Sequence, residues 1–209
     1  ERGRLSEDLA CEAMVRAGIP DVFLANEVRD PVRIRRLAAL ARQARIGLCV
    51  DDPMALPALS AAADHYGVTL DVAVEIDCGA GRCGATPGAA ARDLALAVAA
   101  SSGLRFIGIQ SYHGGAQHLP TTEDRATAIS AAGHMTAETV DLIRATGLDC
   151  PVVTGAGTGT FRHETASGIW NELQCGSYVF MDADYRRALG EGGFEHALFV
   201  LSSVMSLAP

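Results

Sequence analysis

Residues 70–111 read LDVAVEIDCGAGRCGATPGAAARDLALAVAASSGLRFIGIQS. An apolar run over 70–76 enters a loop holding Gly79, Gly81 and Gly84, an alanine-rich helical segment covers 87–102, and a second apolar run fills 104–111. Strand, crossover helix and strand make a βαβ unit, whose two strands pair in parallel. The fold class follows from this unit, an α/β protein, and the flanking sequence extends it.

Upstream, Ser6-Glu7-Asp8-Leu9 opens an amphipathic helix with Leu9, Ala13, Val15 and Ala17 apolar, and Gly18 is placed to end it. Val22-Phe23-Leu24-Ala25 reads as a strand. Pro31 starts a second helix with Arg33, Arg35, Arg36 and Arg42 on a solvated face, Ile46–Val50 is the next strand, and 53–66 is a helix. Downstream, a helix over 121–146 leads to a strand at 152–154. A short helix near 161–168 precedes two strand-like pieces, Asn171–Gln174 and Ser177–Met181. Six strands separated by helices predict a mainly parallel sheet, and their Val, Ile, Leu and Cys content fits strands covered on both sides. Gly190, Gly192 and Gly193 break the pattern before Ala197–Leu201, so we expect one domain over 1–190 and the start of another over 191–209.

The composition excludes several classes. A net charge of −8, with no arginine stripe interleaved with aromatics, argues against nucleic acid. No apolar stretch approaches the roughly 20 residues of a membrane span, and Glu1-Arg2-Gly3-Arg4 is no signal peptide, so the cytoplasm is the expected compartment. Six scattered cysteines without ligand spacing predict buried thiols. All 17 basic residues are arginine. Without lysine, the chain itself supplies no Schiff base, amine nucleophile or P-loop phosphate contact.

Chemistry is expected at the C-terminal ends of parallel strands. The first such end, Asp77-Cys78-Gly79-Ala80-Gly81-Arg82-Cys83-Gly84, satisfies the glycine spacing of a dinucleotide fingerprint, but the next strand ends in Gln110-Ser111-Tyr112-His113 and offers no carboxylate for a ribose. A structural glycine turn is the plainer alternative. The second end brings Tyr112, His113 and His118 together around Gly114 and Gly115, residue types suited to acid–base work at neutral pH. The third, Thr154-Gly155-Ala156-Gly157-Thr158-Gly159-Thr160, offers close backbone approach and hydroxyl donors to a phosphate, or is a glycine turn capped by threonine. Gly176-Ser177-Tyr178 adds a second small-residue turn at the usual phosphate position of a (β/α)8 enzyme.

Taken in order with Gly176-Ser177-Tyr178-Val179-Phe180-Met181-Asp182-Ala183-Asp184-Tyr185, these motifs resemble those of the D-threonine aldolase and D-serine dehydratase-like family, within the alanine racemase N-terminal-domain group of fold-type III pyridoxal-phosphate (PLP) enzymes. The likeness runs from about Ala13 onward. It implies a (β/α)8 TIM-type barrel of the alanine racemase kind followed by a β-rich domain, and a metal-activated cleavage of D-β-hydroxy-α-amino acids to glycine and an aldehyde. Arg82 resembles the arginine facing the pyridine nitrogen, Tyr112 the tyrosine near the ring, and His118 the base at the substrate's β-hydroxyl. Thr154, Gly155, Gly157, Thr158, Gly176, Ser177 and Tyr178 match positions around the phosphate or ring edge. The family also implies a divalent metal of the Mn or Mg type, held by residues outside this chain, a small-molecule D-amino acid substrate and a homodimer.

The chain departs from the family in its missing lysine. The family joins PLP covalently to a lysine on the first barrel strand, and the six strands here align with strands three to eight. We therefore expect an incomplete sequence of a longer enzyme, inactive by itself, or one needing a partner to close the barrel. The alternatives are β-elimination of the D-serine dehydratase kind, and a truncated non-catalytic paralogue that binds PLP or phosphate.

Overall fold

The computed structural model describes residues 3–5, 8–190 and 193–206. Among the described residues seven strands form one sheet: β1 (Gly3–Leu5), β2 (Asp21–Glu27), β3 (Arg45–Val50), β4 (Leu70–Glu75), β5 (Leu104–Ser111), β6 (Val152–Gly155) and β7 (Glu172–Leu173). The helices are α1 (Asp8–Arg16), α2 (Pro31–Leu40), α3 (Leu56–Tyr66), α4 (Ala89–Ala100), α5 (Thr122–Arg144), α6 (Phe161–Ser167) and α7 (Ala183–Leu189). Each strand pairs in parallel with the next, so spatial order equals sequence order from β1 to β7. A doubly wound sheet reverses its strand order, whereas a (β/α) barrel does not. The observed order is that of a partial barrel, with no pairing between β1 and β7 among the described residues.

The two faces of the sheet differ in what they bury. Val22, Leu24, Ile46, Leu48, Val72, Val74, Ile109 and Val153 join Leu37, Leu59, Leu94 and Ile143 from the helices in one continuous core. The inner face has a small second cluster, Phe23, Cys49, Ala73 and Ile107. Burying each large aliphatic side chain contributes about 1.5–3 kcal/mol, so the strand–helix layer carries most of the stability. Helix starts follow their capping residues: Asp30 Oδ1 accepts from the N–H groups of Val32 and Arg33 ahead of Pro31, and Thr121 caps α5 through the Asp124 N–H.

One irregularity matters for the site. The pairing of β4 with β5 runs Val72 with Phe106 and then Ala73 with Gly108, which leaves Ile107 as a bulge. Gly108 has φ 147, and a Cβ there would collide with the Val152 carbonyl. Beyond the bulge, Ile109 packs on the helix side and Ser111 Oγ bonds Thr136 of α5, while Gln110 turns inward.

Most expected elements are found, with four differences. β1 adds a strand not read from the sequence. Ser177–Val179 is a 3-10 turn and not a strand, because the Tyr178 N–H goes to Thr158 Oγ1 and Met181 adopts φ 54, leaving Tyr178, Val179 and Phe180 exposed. Helix α7 was not read; Asp182 caps it through the N–H groups of Asp184 and Tyr185. In α1 it is Cys11 and Val15 that are buried, while Ala13 and Ala17 are exposed, and Ser6 and Glu7 lie outside the described residues. Residues 194–206, including Ala197–Leu201, carry no regular element. None of the six cysteines is in a disulfide, and four are buried. Among the described residues no helix is long and apolar enough to cross a membrane.

Candidate active site

Four strand ends open on the same side of the sheet. At the end of β4, Asp77 Oδ1 accepts from the N–H groups of Gly79 (3.1 Å) and Gly81 (3.0 Å), and these bonds hold its carboxyl below the usual range. The loop amides are thus spent on the protein's own carboxylate, and α4 begins only at Ala89. A dinucleotide fingerprint needs free amides and a helix N-terminus there, so the glycine turn is structural. Gly84 has φ 114, with no room for a Cβ against the Ile76–Asp77 backbone.

The loop presents Arg82. Its Nη2 donates to Glu75 Oε1 at 3.2 Å, its Nε lies 3.3 Å from Cys83 Sγ, and its Cζ stands 5.9 Å from the Tyr112 ring centroid. Nη1 has no hydrogen-bond partner among the described residues. Glu75 is 2% exposed and also accepts from Gln110 Nε2. Glu27 lies beside it with Oε1 buried and unpaired. Burial, and then the charge of Glu75, push the Glu27 carboxyl up to about 7. Burial, and then the hydrogen bond to Glu75, push the Cys83 thiol up to about 12.

At the end of β5 the three expected residues take different positions. Tyr112 is half-buried against Arg82, and burial raises its phenol. His113 is turned away, its ring against Gly79 and its Nδ1 accepting from the Ala116 N–H at 3.3 Å; burial lowers its pKa and keeps it neutral. His118 ends the 3-10 turn Gly114–His118 with Nδ1 2.6 Å from Asp184 Oδ2 and its ring 4.9 Å from that of Tyr185. This leaves Nε2 without a protein partner among the described residues.

The β6 turn is held by packing. A Cβ on Gly155 would strike the Ser111 carbonyl, and one on Gly157 or Gly159 would strike Gln117. Gln117 is itself fixed, accepting from the Gly159 N–H at 2.9 Å and donating to Thr160 Oγ1 at 2.8 Å. Thr154 and Thr158 are buried, Thr154 Oγ1 accepting from Gln174 Nε2 and Thr158 Oγ1 from the Tyr178 N–H. Ala156 is held at φ 66, a left-handed conformation rare for a residue with a Cβ and costing about 1–3 kcal/mol.

Among the described residues the N–H groups of Ala156, Gly157, Thr158, Cys175, Gly176 and Ser177 find no protein acceptor. A Cβ on Gly176 would meet nothing within 4 Å, so the space in front of this turn is open. Two adjacent turns with unspent amides suit a phosphate dianion, and Arg82 supplies a permanent cation at the end of β4, across β5 from the first turn. The residues fit PLP. A divalent metal is fitted less well: the one candidate cluster among the described residues, Glu27, Glu75 and Cys83, already holds the Arg82 guanidinium, its thiol keeps its proton at neutral pH, and the Glu27 carboxyl is only about half ionised there.

The family model for the alanine racemase N-terminal domain matches residues 12–184. The chain belongs to this family. Within the alanine racemase N-terminal-domain family, it is 49% identical over 205 residues to a 3-hydroxy-D-aspartate aldolase of Paracoccus denitrificans (strain Pd 1222), covering 94% of this chain and 53% of the relative. The crystal structure of a D-threonine aldolase from Filomicrobium marinum superposes with a TM-score of 0.92 at 45% identity, over 98% of this chain and 57% of that one. A D-threo-3-hydroxyaspartate dehydratase of Delftia sp. (strain HT23) is 29% identical over 206 residues, covering 93% of this chain and 51% of the relative. The chain spans about half the length of the curated relatives it matches. Its aldolase relatives are lyases, and the expected alanine-racemase-like partial barrel is the fold observed.

Sequence reading missed Glu75, Gln110, Gln174, Gln117 and Asp184 as members of the site. The first two carried a visible signal, each a polar residue near the end of an otherwise apolar strand.

Proposed function

We propose that the protein serves PLP-dependent cleavage of D-β-hydroxy-α-amino acids to glycine and an aldehyde. The observation that carries the reading is the convergence of unspent amides at 156–158 and 175–177 with Arg82 and Tyr112 at adjacent strand ends. PLP, when bound, supplies the electron sink that lets a bond at the substrate's α-carbon break.

The chain's residues have separable roles in this proposal. The two turns and the Thr158 and Ser177 hydroxyls hold the phosphate, with Thr154, Gly155, Gly157, Gly176 and Tyr178 shaping the cradle. Arg82 faces the ring nitrogen, where a permanent cation disfavours a proton. Tyr112 packs beside the ring and screens it from water. His118 takes the β-hydroxyl proton at Nε2, since Nδ1 is engaged by Asp184. The covalent anchor is not supplied by these residues, as the sequence has no lysine, and no step is assigned to a metal. The aldolase outcome is favoured over β-elimination because the aldolase relative is 49% identical and the dehydratase 29%.

A chimera tests the reading: the Filomicrobium marinum enzyme with its matched segment replaced by this chain. Glycine and acetaldehyde from D-threonine are expected, and His118→Asn should lower the rate by about 10²–10⁴-fold. A folded, PLP-loaded chimera that instead released ammonia and a keto acid from D-threo-3-hydroxyaspartate would establish the elimination reading.

A further inference from the structure

Polar side chains at the inner ends of β4 and β5 and just beyond β7 form one hydrogen-bonded row whose direction is set by charge. Glu75 accepts from Arg82 Nη2 at 3.2 Å through Oε1 and from Gln110 Nε2 through Oε2. An ionised carboxylate only accepts, so Gln110 must turn its NH2 toward Glu75 and its Oε1 the other way. There Gln174 Nε2 donates to it at 2.8 Å, and also donates to Thr154 Oγ1 at 3.0 Å. Each amide is therefore used in a single orientation. Glu75, Gln110 and Thr154 are also lateral neighbours in the register of β4, β5 and β6. The row thus runs from Arg82 to the first residue of the Thr154–Thr160 turn.

The two ends of the row differ in exposure. Thr154 is fully buried on a strand, whereas the Arg82 side chain is 56% exposed on a glycine-rich loop. A free arginine side chain of that kind samples many rotamers. Its ordered partner is Glu75, and Glu75 is held in turn by Gln110.

We propose that Glu75, Gln110 and Gln174 are positioning residues that fix the Arg82 guanidinium relative to the anion cradle, and so set the distance from ring nitrogen to phosphate that the site accepts. The proposal rests on the PLP reading above, and deepens it: the site measures the length of its ligand through the sheet's own hydrogen bonds. A row that merely stabilised the fold would weaken every ligand alike, whereas a spacing device acts only on ligands that touch both ends.

Pyridoxine 5'-phosphate, which has no aldehyde and needs no lysine, is the probe, titrated by its ring fluorescence with inorganic phosphate as a competitor. Gln110→Met and Glu75→Gln should each weaken the probe about tenfold, a loss of the size of one buried hydrogen bond, while inorganic phosphate stays within about twofold. Gln110→Met should cost nothing further in an Arg82→Leu background, because the row acts through Arg82. The absorbance of the bound ring should move toward the nitrogen-protonated form in Gln110→Met. Should Gln110→Met fail to fold, Gln174→Met, at the partly buried end, carries the same expectations. Wild-type protein that binds the probe, with variants that bind it equally, lose phosphate in parallel, or add to Arg82→Leu, overturns the positioning role alone. Wild-type protein that does not bind the probe overturns the PLP reading and this role with it.

Discussion

The two ends of the partial barrel carry polar networks built from the same residue types and resolved differently. At the N-terminal end, Asp71 is buried between two guanidinium groups, with Arg45 Nε at 2.5 Å and Arg105 Nε at 2.6 Å, and Arg45 reaches on to Asp21 at 3.5 Å. The buried acid is fully compensated by partly exposed cations. At the C-terminal end, Glu75 has one guanidinium, its neighbour Glu27 keeps a buried oxygen without a partner, and six amides in two turns are unspent. A saturated network stabilises and accepts nothing further, while an unsaturated one costs stability and leaves groups for a ligand.

Substitutions at each end test that contrast. The largest effect is expected at the cradle, where Gly155→Ala drives a Cβ into the Ser111 carbonyl and within 2.7 Å of Trp170 Nε1. A loss of about 3 kcal/mol in urea unfolding should accompany loss of phosphate binding; a neutral result would mean that the cradle's shape is not imposed by packing. Asp71→Ala should come next, at about 2 kcal/mol, because the two arginines left behind can rehydrate. Pyridoxine phosphate affinity should be unchanged in this variant, and any loss would show that the two ends are not independent. The smallest effect is expected for Glu27→Gln and should depend on pH. The Glu27 carboxyl binds its proton more tightly in the folded protein, with a pKa of about 7 against an ordinary 4.5, beside Glu75, Asp51 and Cys83. Wild-type stability should therefore fall as pH rises from about 4.5 to about 7. Glu27→Gln should be neutral at pH 4 and, given partial exposure, about 1 kcal/mol more stable than wild type at pH 8. Equal unfolding midpoints at pH 8 would place Glu27 in water.

The parallel order and the glycine-bearing turns were readable because both follow from local composition: apolar runs need covered strands, and Gly155 and Gly157 stand where backbone and side chain meet. Arg82, Tyr112 and His118 were singled out as candidates from their motifs. What stayed hidden was pairwise. Nothing in Asp77-Cys78-Gly79 says that Asp77 will spend the loop amides, and nothing in Met181-Asp182-Ala183-Asp184 says that Asp184 will meet a histidine 66 positions earlier. Ser177–Met181 misled for a related reason, since the Tyr178 N–H goes to the distant Thr158 Oγ1 and Met181 turns to φ 54.

The bulge at Ile107–Gly108 has a consequence for how this sequence tolerates change. A strand is a two-state counter: odd positions point one way, even positions the other, and a single extra residue inverts the count for everything after it. In β5 the count is inverted once, between Phe106 and Ile109, and that inversion is what brings an amide, and not an isoleucine, beside Glu75. Straightening β5 at Ile107 without losing a residue would turn Ile109 inward and Gln110 toward the helices, whereas deleting Ile107 would remove the bulge and its inversion together and leave Gln110 beside Glu75.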